Sequence, residues 1–161
     1  MTADPLRSLH IGLADIQRPD IQELILLHRR AALAANRVCE DHAMRVEDYL
    51  QPNLTLFAAR DREQGDLLAI CGLMTLTPKQ GELKTMHTRD RARGRGAGRA
   101  MLAYLIQQAH DRGFEEIYLE TGTSPFFASA IQLYHRFGFQ DCDAFAAYAA
   151  NPDSRFMRLT L

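Results

Sequence analysis

At 161 residues the chain has the length of one domain and can bury a core without disulfide or metal staples. A net charge of −1, with 47% apolar and 24% charged residues, describes an ordinary soluble protein and excludes a global basic field for nucleic acid or an anionic membrane. Cys39, Cys71 and Cys142 are too scattered for a disulfide framework or a zinc site, so no metal is expected.

Residues 9–13 read as a first strand. From Pro19, which suits a first helical turn, Ile21, Leu24, Ile25 and Leu27 recur at helical spacing and lead into an alanine-rich stretch towards Ala35. A second short helix is predicted near 46–50. Residues 54–59 and 67–76 read as an antiparallel hairpin around a turn containing Gly65, and 82–88 as a further strand, whose alternation puts Glu82, Lys84 and Met86 on one face. Met101, Leu102, Leu105, Ile106 and Ala109 mark the clearest helix, stopped by Gly113. Residues 116–120 alternate as a half-buried strand. Ser124-Pro125 reads as an N-cap and first-turn pair opening a helix with Phe127, Ala130, Ile131 and Tyr134 on one stripe. Strands around 139–142 and 155–161 close the chain. There is no repeat or linker, so residues 1–161 read as a single domain. The order predicts an α+β (mixed α/β) fold: a mixed, mostly antiparallel sheet with helices on both faces and one parallel crossover around the long helix. No secretory leader or membrane-length apolar run is apparent, so the expected address is cytoplasmic, with no membrane partner.

Charge is uneven around one turn. Residues 89–99 hold five arginines and one acid, Asp90. Within them, Arg93-Gly94-Arg95-Gly96-Ala97-Gly98 lies between a strand and the best helix. Unpaired N–H groups and the helix macrodipole make such a position an anion site, glycines admit close approach, and arginines add charge-assisted bonds. A P-loop is excluded because no Gly-Lys-Ser/Thr follows, and the glycine spacing fits a dinucleotide fingerprint badly.

That turn resembles the Arg/Gln-x-x-Gly-x-Gly/Ala signature of the GNAT superfamily of N-acetyltransferases. The strand–turn–helix–strand–helix order ending in Leu133-Tyr134 and Phe137-Gly138-Phe139 is similar to the same superfamily's acetyl-CoA core. The resemblance is specific from about Leu54 to Phe139. Gly81-Glu82-Leu83-Lys84, Leu119-Glu120-Thr121-Gly122, Phe126-Phe127 and a C-terminal pattern with Phe145, Tyr148, Pro152, Ser154, Phe156 and Met157 resemble a subgroup of small uncharacterised bacterial members; residues 1–50 match loosely.

The resemblance implies two strands splaying apart, with the acetyl-CoA pantetheine arm in the gap along Met86, His87 and Thr88. It places the pyrophosphate on the turn formed by Arg93, Gly94, Arg95, Gly96, Ala97, Gly98 and Arg99. Tyr134 matches the tyrosine that serves the departing thiolate, which needs a proton or a hydrogen bond. A phenol of pKa ~10 can supply either to a thiolate whose acid sits near ~8.5. Glu82 stands where several members carry a glutamate base that relieves an amine of its proton, and Glu120 is the alternative. One departure stands out. Phe127 occupies the place where many members put an asparagine amide on the pantetheine, leaving Ser124 or Ser129 to replace that contact. For the acceptor pocket, Arg29, His42, Tyr148 and Ser154 are candidates, and Arg29 or Arg30 suits a substrate carboxylate.

The implied function is direct transfer of an acetyl group from acetyl-CoA to a primary amine of a small molecule or peptide in a ternary complex, without a cysteine relay. A catalytically silent acetyl-CoA-binding regulatory or partner-binding module is the alternative. Homodimers paired through sheet edges or C-terminal strands are common in the family.

Overall fold

The computed structural model describes residues 8–35 and 44–161; His42, one of the acceptor candidates, lies outside them, as does Cys39. Among the described residues seven strands form one sheet: β1 (Leu9–Leu13), β2 (Leu54–Asp61), β3 (Leu67–Thr77), β4 (Gln80–Thr88), β5 (Glu116–Gly122), β6 (Gln140–Asp141) and β7 (Ser154–Thr160). Their order is β1-β2-β3-β4-β5-β7-β6. Among the described strands only the β4–β5 pair is parallel. Three described α-helices accompany the sheet: α1 (Pro19–Ala35), α2 (Ala97–Asp111) and α3 (Ala128–Arg136). Residues Val46–Leu50 form a 3-10 turn. No described helix is long and apolar enough to cross a membrane.

Strand alternation divides the core between the two faces. Phe57 and Ala59 of β2 and Leu83 of β4 cluster with Met101, Leu102 and Leu105 of α2 and with Tyr134 of α3. The alternate residues Leu56 and Ala58 of β2, with Ile70 of β3, cluster with Ile21, Leu24 and Ile25 of α1 and with Tyr49. Each of these large side chains contributes roughly 1.5–3 kcal/mol on burial. Helices on both faces thus follow from two apolar stripes of period 3.6 meeting a sheet of period 2.

Three local readings change. Only Gln140 and Asp141 of the predicted 139–142 strand are strand, because Phe139 still closes the end of α3, its N–H donating to the Tyr134 carbonyl at 3.1 Å. Ser124 precedes a 3-10 turn, Pro125–Phe127, and its hydroxyl makes no cap bond. That hydroxyl is buried without a hydrogen-bond partner among the described residues. The third change concerns β4. Ile70 faces His87 and Gly72 faces Lys84, so two residues of β3 span three of β4 and the ladder carries a bulge. Thr85 absorbs it at φ 52°, left-handed for a β-branched residue. Alternation therefore resets at the bulge. Met86 packs with Leu83 in the α2 cluster, while Glu82 and Lys84 point away from it, so the three do not share a face.

Candidate active site

Between β4 and β5 the parallel ladder holds for three pairs only: Gln80 with Glu116, Gly81 with Ile117 and Glu82 with Tyr118. Beyond Glu82 the strands diverge, although β4 continues to Thr88 and β5 to Gly122. The resulting wedge is lined by Glu82, Lys84, Thr85 and Met86 on one side and by Glu120, Thr121 and Gly122 on the other. Tyr134 and Phe127 close it from α3 and the turn before it, His28 from α1, and Tyr148 from the loop between β6 and β7.

The wedge opens into a longer groove of about 480 Å³ between the Arg93–Gly98 turn and α3. Met86, His87, Thr88, Arg93, Gly94, Gly96, Gly98 and Arg99 line it, and Met86, Phe127, Ala130 and His28 border both spaces. Gly96 caps α2 at φ 84° and offers no side-chain acceptor, which leaves the first-turn N–H groups to an incoming anion. A Cβ on Gly98 would sit 3.3 Å from Thr88 Oγ1, so the helix start is pressed against β4. Arg95 and Ala97 line a separate groove with Arg91 and Leu68 and do not line this one. Arg93 is partly committed, with Nε donating to the Thr88 carbonyl at 3.3 Å and Nη1 3.1 Å from Asp90.

At the base of the wedge Glu82 is 2% exposed. The Tyr148 hydroxyl donates to Glu82 Oε1 at 2.6 Å, and Lys84 Nζ lies 3.0 Å from the same oxygen. Lys84 Nζ also donates to the Tyr148 hydroxyl at 2.5 Å. Burial, reinforced by the Glu82 charge, pushes the Tyr148 phenol well above its usual range. Glu120 accepts from the Ser154 hydroxyl at 2.9 Å, and Ser154 in turn receives Asn151 Nδ2 at 3.0 Å. Tyr134, 4% exposed, packs on Phe139 at 5.7 Å between ring centres, and burial raises its phenol too. Its hydroxyl makes no hydrogen bond among the described residues, so it is available to a ligand in the wedge. Phe127 stacks edge-on to Phe126 at 5.0 Å and makes an apolar wall. Of the two serines considered for the missing amide, Ser129 lines the groove and Ser124 does not. Arg29 borders neither space.

Two features gave no sequence signal. The His28 and His87 rings meet at 3.2 Å between their Nδ1 atoms, where the wedge joins the groove. Burial lowers the pKa of both, that of His28 to about 4. Thr85 is held at its left-handed φ by a short hydrogen bond between its hydroxyl and that of Tyr49. Neither contact could be read from spacing, since each joins strands to residues 36 or more positions away.

An anion groove at a helix start, continuous with a wedge between splayed parallel strands, is the arrangement that the motifs implied. The model of the acetyltransferase (GNAT) family matches residues 21–139. The chain belongs to that family. An uncharacterized N-acetyltransferase of Escherichia coli K12, YedL, is 37% identical over 147 residues, spanning 91% of each chain. A solved structure from Klebsiella pneumoniae superposes with TM-score 0.79 at 27% identity, covering 95% of this chain and 97% of that one. A GNAT family acetyltransferase from Elizabethkingia anophelis, solved with acetyl-CoA bound, has the same fold, with TM-score 0.70 at 18% identity and coverage of 96% and 99%. The residues present suit the donor of a GNAT acetyltransferase. Uncapped helix amides and Arg99 would hold a pyrophosphate, and the unpaired edge of β4 past Glu82 offers main chain to an amide-bearing arm. Among the described residues no group of three or more His, Cys, Asp or Glu is arranged to hold a metal.

Proposed function

We propose that this GNAT protein is an N-acetyltransferase that transfers the acetyl group of acetyl-CoA directly to a primary amine bound beside it. The observation that carries the reading is the continuity of groove and wedge with a buried carboxylate, Glu82, at the wedge's base. Bound acetyl-CoA would supply the activated acyl group; the chain supplies position and proton traffic. Glu82 accepts the proton that an amine must lose to become nucleophilic. Tyr134 serves the leaving sulfur. Because burial lifts its phenol further above a thiol's range, its part is to donate a hydrogen bond more than to surrender the proton. Tyr148 and Ser154, which hold Glu82 and Glu120, form the acceptor-side wall with them.

Thiol release from acetyl-CoA, measured across panels of small amines, amino acids and peptides, tests the proposal. With an accepted amine, Glu82→Gln lowers kcat by roughly 10²-fold and Tyr134→Phe by roughly 10-fold or more, while acetyl-CoA affinity stays nearly constant. Full turnover by Tyr134→Phe would remove the leaving-group role. The apolar wall at Phe127 favours a second reading, an acetyl-CoA-binding module without catalysis. Tight acetyl-CoA binding with no thiol release for any acceptor would establish it.

A further inference from the structure

We infer that Lys84 and Tyr148 are positioning residues for Glu82, together pinning its Oε1 so that Oε2 is the atom that receives the amine's proton. The inference rests on the proposed base role of Glu82 and assigns two further residues to it. Three contacts close a triangle on one side of the carboxylate: Tyr148 hydroxyl to Oε1 at 2.6 Å, Lys84 Nζ to Oε1 at 3.0 Å, and Lys84 Nζ to the Tyr148 hydroxyl at 2.5 Å. The lysine thus orients the phenol's lone pairs towards itself and its proton towards Glu82. Oε2 has no hydrogen-bond partner among the described residues, and Glu82 lines the wedge.

Everything in the triangle is held from behind. Tyr148 is clamped by Phe145 and Phe156, with ring centres at 5.0 and 5.7 Å, and Lys84 Nζ lies 5.2 Å from the Tyr148 ring centre. The side chains of Lys84 and Glu82 are 16% and 3% exposed, so the charges are little screened by water. The bulge at Thr85 contributes as well. Regular alternation puts Lys84 beside Glu82, and the bulge after it turns Met86 to the other face. The lysine also disfavours a second cation at the wedge base, so an amine gains by arriving there as the free base.

The test reads whether both residues act through Glu82. With an accepted amine, Tyr148→Phe and Lys84→Met are each expected to lower kcat by roughly 10-fold while the KM for acetyl-CoA stays nearly constant. A positioning residue works only through the carboxylate it holds, so adding either substitution to Glu82→Gln should lower kcat by less than about 2-fold more. A side chain that only packs would lower the melting temperature and cost the same factor in both backgrounds. Full turnover by both variants, or an undiminished further loss in the Glu82→Gln background, would overturn the inference. If Tyr148→Phe fails to fold, Lys84→Met decides alone. The two levels of the reading separate cleanly: undiminished thiol release by Glu82→Gln sinks the base role. An inactive Glu82→Gln beside fully active Tyr148→Phe and Lys84→Met sinks only the positioning.

Discussion

Thr85 shows how one residue arranges two others. A β-branched side chain at positive φ costs on the order of 1–2 kcal/mol, and such strain persists only where surrounding contacts fix it. Here the fixing contact is the hydroxyl pair with Tyr49, which is 7% exposed and anchored in the α1-side core. Removing the Tyr49 hydroxyl leaves the Thr85 hydroxyl, on a residue only 9% exposed, without that partner. Tyr49→Phe is therefore expected to lower stability by about 1–2 kcal/mol in urea denaturation. It should also weaken acetyl-CoA binding in calorimetry, because Met86, the next residue, borders both wedge and groove. Thr85→Gly loses the same bond but relieves the strain, so its stability should fall by less. If the glycine variant is the less stable of the two, Thr85 is not strained in the way argued.

Among the elements, the β4–β5 ladder sets the splay because it is three pairs long and then stops. Gly81 lies in its middle. A Cβ there would come within 2.8 Å of the Phe114 ring and 3.1 Å of Leu73 Cδ1. Neither neighbour can yield easily, since both are buried in the α2-side core. Gly81→Ala should cost about 1–3 kcal/mol, read as a lowered denaturation midpoint with the slope unchanged. A neutral result would mean the ladder adjusts freely and does not fix the wedge. These elements were also the most legible part of the sequence. The α1 and α2 stripes, the hairpin about Gly65 and the glycine turn each declare themselves within a dozen residues, because their signals are local periodicity and local chemistry. The bulge was not legible. Thr85 carries no glycine to announce it, and its cause is Tyr49, far away in the chain, so simple alternation placed Met86 wrongly. For the same reason Glu82 was visible as a candidate, while the clasp that Tyr148 brings from the loop after β6 was not.

At the scale of the whole molecule, α1 is fastened to the sheet beside the site through the His28–His87 contact. It joins α1 to β4 where wedge and groove meet. Two Nδ1 atoms at 3.2 Å share one proton, so the ring that accepts must be neutral and at most one of the two can carry charge. The surroundings agree. Burial lowers both pKa values, Arg93 and Arg89 lower His87 further, and Asp90 opposes them only in part. Arg89 is itself paired with Glu23 of α1 at 2.8 Å, a second link across the same interface. The sign of the linkage follows. Above about pH 6.5 the rings are neutral in both folded and unfolded chains and pH has no effect through them. As pH falls below that, the unfolded chain takes up protons that the folded one refuses, so stability declines until the folded His28 titrates near 4. The loss attributable to His28 approaches about 3 kcal/mol across that window. His28→Gln keeps a polar partner for His87 but cannot titrate. Urea denaturation of both proteins at several pH values between 7 and 4 should show the variant's stability falling less steeply, with the two curves diverging from pH 6.5 downward. Parallel curves would mean that His28 is already free to protonate in the folded protein, and the neutral pair would not be what fastens α1 over the site.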